Sequence, residues 1–179
     1  MSASFVEDLA QPEYLHVLLN PLPVYGLLTG ILGLGIALAV FRRSQAARNT
    51  ALLLIAISAA SVWPVVHYGE AGFDRVLAVS DSAGGQWLKA HASRADSVEP
   101  LYYALAALAV IAIFVPRKWP ASAIPVALFT LVFAVTTAGA GAWVAYAGGK
   151  IRHSEFRNEP PPLSQNPRGE GITLRSTCG

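Results

Sequence analysis

The chain has 179 residues, of which 54% are hydrophobic and 13% charged, against roughly a quarter charged in an ordinary soluble domain. A formal charge of +2, with no aromatic residues interleaved among the basic ones, argues against a nucleic-acid partner. A single cysteine, Cys178, excludes a disulfide framework or a CxxC pair, so the composition is that of one all-α, four-helix transmembrane bundle with spans of about 20 residues.

The N-terminal segment, residues 1–21, carries Glu7, Asp8 and Glu13 where a cleaved signal would be basic, so the first helix is expected to stay in place. Four apolar runs follow, predicting spans at about 22–41, 51–67, 99–115 and 121–147. The first stops at Arg42 and Arg43, the second at His67 and the third at Pro116, Arg117 and Lys118, while the fourth runs into Gly148, Gly149 and Lys150.

The link between spans one and two carries Arg42, Arg43 and Arg48, and that between three and four carries Arg117 and Lys118, neither with an acid. The positive-inside bias makes both cytoplasmic. Both termini and the link 68–98 then lie on the outer, periplasmic side of the lipid bilayer.

In that link, Asp74–Val79 and Gln86–Ala95 have helical composition, interrupted by Ser82-Ala83-Gly84-Gly85. Two short interfacial helices are expected, with Trp87, Leu88 and His91 on one face of the second. The tail, residues 148–179, contains Pro160, Pro161, Pro162 and Pro167 and little apolar content, so it is expected to be extended and ordered against a partner. Within the spans, Gly26, Gly30 and Gly33, and Gly139 and Gly141, let helices approach closely, inside the bundle or in a homo-oligomer. Trp63-Pro64 marks a kink or an early helix end.

No Asp, Glu, Lys or Arg lies in the middle of a span, which argues against a transporter or pump. No nucleophile elbow, phosphate loop or HExxH motif occurs, so nothing makes a case for catalysis. The informative pattern is histidine: His16, His67, His91 and His153 all fall at the periplasmic ends of spans. Imidazole is a common metal ligand and an axial haem ligand, so the four are candidate cofactor ligands. His67, Glu70, Asp74 and His91 are the candidate set for a divalent metal. Gly69 and Gly72 would permit a tight turn gathering the first three, and Arg75 could instead pair with one of the acids. The alternative is that these side chains simply suit an interface, apolar in body and polar at the tip.

The stretch His16-Val17-Leu18-Leu19-Asn20-Pro21-Leu22-Pro23-Val24 resembles the lead-in to the first helix of a bacterial four-span family, domain of unknown function 2231. Gly148-Gly149-Lys150-Ile151-Arg152-His153 resembles that family's exit from the fourth helix. His16 and Pro23 match the first histidine and the proline of the pattern, while Pro21 stands where the family has a second histidine. The resemblance implies an inner-membrane bundle with histidines on its outer face, and no established activity.

Two functional readings follow. The first is an integral inner-membrane subunit or scaffold, holding membrane-protein partners through its outer link and tail, with an electron-transfer assembly as one setting. The second is a metal- or haem-binding membrane protein using the outer histidines, which requires at least three of the candidate side chains to converge.

Overall fold

A computed structural model describes residues 7, 9–41 and 44–162; Arg42, Arg43 and tail residues 163–179 lie outside the described residues. Leucine, isoleucine, valine and alanine fill long uninterrupted runs, and the described chain is predominantly helical, with no strand among the described residues. The first span joins α1 (Pro12–Leu19), a π-helical turn (Leu22–Gly26) and α2 (Leu27–Ala39). The second joins α3 (Gln45–Ala60) and α4 (Val62–Ala78). The third is α5 (Ser82–Lys118), and the fourth is α6 (Ala123–Arg152), entered through a 3₁₀ turn at Pro120–Ser122. Four helices are thus long and apolar enough to cross a membrane, the organisation of a multi-pass membrane protein.

Packing closes a ring: α2 lies against α3 and α6, and α5 lies against the same two. Leu27, Leu34, Leu52, Ile55, Leu105, Ala109 and Ala134 meet in its core. The outward faces stay apolar, with Leu32, Ile57, Phe129 and Val132 exposed, as lipid-facing surfaces require. Glycine brings α2 and α3 together: a Cβ on Gly30 would stand 2.6 Å from Ile55 Cγ1, and Gly26 abuts Ser58. Gly26, Gly30 and Gly33 therefore serve packing within the bundle. Thr130 and Thr137, buried in α6, donate to the carbonyls of Val126 and Phe133 one turn back, so these hydroxyls are satisfied within their own helix.

The breaks have local causes. A proline ring clashes with the carbonyl four residues back, and the π turn spanning Pro23 absorbs that clash without ending the helix. Pro64 lacks the N–H that would bind the Ala60 carbonyl, and the second span breaks at Ser61, between α3 and α4.

Three expectations need correction. The link 68–98 does not hold two separate interfacial helices: its first half continues α4 to Ala78, and its second half is the start of α5. Ser82-Ala83-Gly84-Gly85 is not a break but the first turn of α5, because Asp81 caps it by accepting the Gly84 N–H. The helix of the fourth span also runs through Gly148 and Gly149 to Arg152, so the tail begins later than the glycines suggest.

Candidate functional site: a histidine pair at one end of the bundle

Up-and-down connectivity puts α1, the short Val79–Asp81 link and residues 153–162 at one end. Arg48, Arg117 and Lys118 lie at the other. All four histidines belong to the first end. There α1 packs on α4 while α5 packs on α6, and one histidine from each helix pair meets the other.

His16, on α1, points its Nδ1 at the Val65 carbonyl of α4, 2.7 Å away. His91, on α5, points its Nδ1 at the Val144 carbonyl of α6, 3.0 Å away. In a helix a carbonyl is covered by the residue four positions on, and here those residues are Gly69 and Gly148. A Cβ on Gly69 would stand 2.8 Å from His16 Nδ1, and one on Gly148 would stand 3.1 Å from His91 Nδ1. The same device therefore occurs twice: a missing side chain opens a notch through which an imidazole reaches helix backbone. A carbonyl only accepts, so each Nδ1 carries the hydrogen and each Nε2 is left as the basic nitrogen when the ring is neutral. The two rings are neighbours in a T-shaped arrangement, with centroids 6.3 Å apart and planes at 86°.

The other candidates do not join them. His67 is exposed and stacks on Trp63, with centroids 5.6 Å apart and planes at 9°. His153 lies past the end of α6, its Nδ1 2.8 Å from Glu155 Oε1. Glu70 and Asp74 share an exposed face of α4 with His67. The proposed set of His67, Glu70, Asp74 and His91 is therefore not assembled, and among the described residues no three His, Cys, Asp or Glu side chains converge on a metal position. The physical reason is that Gly69 and Gly72 make no tight turn: both lie inside α4, and Gly72 instead admits the backbone of Glu13, 2.9 Å from where its Cβ would be. Arg75 pairs with Glu13 of α1 at 3.0 Å, rather than with Glu70 or Asp74.

Composition alone did not point to the polar clasp around the pair. Arg94, one turn after His91, donates to the Trp143 carbonyl and covers that indole at 4.5 Å. Lys150, only 3% exposed, lies over Trp87 and Tyr146 and reaches both the Tyr146 hydroxyl and Glu159 at 2.7 Å. Arg157 holds the Lys150 and Ile151 carbonyls and the Asp81 carboxylate. The Arg157 guanidinium, helped by the Gly84 N–H, holds Asp81 below the usual carboxylate range. The Lys150 ammonium, helped by the Tyr146 hydroxyl, does the same for Glu159. The i, i+4 spacing of Tyr146 and Lys150 was readable in the sequence; their partners, distant in the chain, were not.

Compared with protein-family models, with curated proteins and with solved structures, the chain has no match.

Proposed function

We propose that the chain is an integral subunit of a bacterial inner-membrane assembly, both termini periplasmic, that holds a partner protein on the histidine-bearing end of its bundle. The observation that carries this reading is the exposed stripe His67, Glu70, Asp74 on α4, at helical spacing along one face. From Arg48 to His67 the helix rises about 28 Å, close to the roughly 30 Å of bilayer hydrocarbon. Glu70 and Asp74 then stand in water on a rigid helix, a surface suited to a partner that offers basic and hydrogen-bond-donating groups. The packed apolar core and the self-satisfied buried threonines favour this reading over transport, and the likeness to a bacterial four-span family agrees with the compartment.

Native electrophoresis of gently solubilised membranes tests it. The full chain is expected to migrate in a complex larger than itself, and the triple variant His67→Ala, Glu70→Ala, Asp74→Ala to leave that complex while remaining folded. Migration as a free subunit, or a complex indifferent to the triple variant, would rule the reading out.

A further inference from the structure

We propose that His16 and His91 are the two axial ligands of a non-covalently bound haem. The spacing fits a metal between them: with metal–nitrogen bonds of about 2.0–2.1 Å and an imidazole radius of about 1.1 Å, rings on opposite sides of one ion have centroids about 6.3 Å apart. The observed separation is 6.3 Å, whereas ligands at a tetrahedral angle would bring the centroids to about 5 Å for the same bond lengths. A trans pair needs its remaining positions filled from elsewhere, because no third His, Cys, Asp or Glu converges there among the described residues. Three converging side chains are what a bare ion would need, and they are not present among the described residues; a porphyrin supplies four equatorial nitrogens itself and asks the protein for only two.

The supporting shell is also that of an axial ligand. Each Nδ1–H is tied to a backbone carbonyl, which fixes tautomer and ring orientation and presents Nε2 to a metal. The ligands come from helices belonging to two different packed pairs, α1 on α4 and α5 on α6. Covalent attachment through a CxxCH motif is excluded, since the single cysteine is Cys178. With both axial positions occupied by protein, such a haem keeps no open position for a gas or an oxygen substrate. The inference does not depend on the partner-holding role, and the two can fail separately.

The test is titration of the full-length protein in detergent with hemin, followed by optical and electron paramagnetic resonance spectroscopy. The expected result is saturation at one haem per chain, with a low-spin spectrum that sharpens into α and β bands on dithionite reduction. Near-perpendicular ring planes further predict the strongly anisotropic type of low-spin resonance signal. His16→Ala and His91→Ala should each give a high-spin species or at least a tenfold weaker complex, and added imidazole should restore the low-spin form. His67→Ala and His153→Ala should change nothing. If His91→Ala fails to fold, His91→Met keeps the side-chain bulk, and its spectrum should shift toward mixed His/Met ligation. Absence of stoichiometric hemin binding would overturn the proposal. So would a low-spin spectrum that persists in both alanine variants, or copper and not haem as the species lost with the pair.

Discussion

At the scale of single residues, the glycines differ sharply in what they do, although the sequence writes them identically. Gly69 leaves the space that His16 Nδ1 occupies, whereas Gly139 has nothing within 4 Å of where its Cβ would be. Gly69→Ala must therefore push the imidazole off the Val65 carbonyl or part α1 from α4, an overpacking change that costs about 1–3 kcal/mol. Gly139→Ala meets no neighbour and removes backbone freedom from the unfolded chain, so it should be neutral or stabilising by up to about 1 kcal/mol. Thermal unfolding of both variants in the same detergent checks the sign, and equal shifts would contradict the notch. That the histidines gather at one end was legible, because each lies at or beyond the outer end of an apolar run. Which two would meet was not, because pairing depends on the helix face each occupies. His16 and His91 were also named as candidates without any sign that Val65 and Val144, with glycines four residues on, would receive them.

At the scale of elements, hydropathy marks where lipid begins and ends, not where a helix does. That there are four long apolar helices was legible, but α5 runs from Ser82 to Lys118, about 55 Å at 1.5 Å per residue, well beyond the bilayer. The polar residues Gln86 to Ser97 gave no apolar signal, yet the Asp81 cap starts their helix and contacts with α6 hold it. The residues after α6 are fastened in turn by Arg157 to Asp81 and by Lys150 to Glu159. Both carboxylates have folded-state values below their ordinary ones. Their stabilisation is thus complete above the ordinary carboxylate range and is lost as pH falls through the lowered values. Amide hydrogen exchange of residues 153–159, corrected for its intrinsic pH dependence, should be slow at neutral pH and rise in acid. Asp81→Asn should raise it already at pH 7, and an unchanged profile in that variant would show that the clasp does not fasten the segment.

At the scale of the whole molecule, charge and connectivity together decide which end faces which compartment. Two of the arginines that set the positive-inside argument, Arg42 and Arg43, lie outside the described residues, but Arg48, Arg117 and Lys118 mark the same end, opposite the histidines. Because the number of spans is even, the orientation of one link fixes all the others. A single reversed link is incompatible with this fold, so the orientation can be tested at four points that must agree. In a Cys178→Ser background, single cysteines at Val79 and Ser154 should react with a membrane-impermeant maleimide applied to intact cells with a permeabilised outer membrane. Cysteines at Ser44 and Ala121 should react only after the inner membrane is opened. The opposite pattern at all four sites would keep the fold and invert the protein, moving the histidine pair and the His67–Asp74 stripe to the cytoplasm and removing the periplasmic partner from consideration. A mixed pattern would contradict the four-span topology itself, since no rigid placement of α1–α6 puts Val79 and Ser154 on different sides.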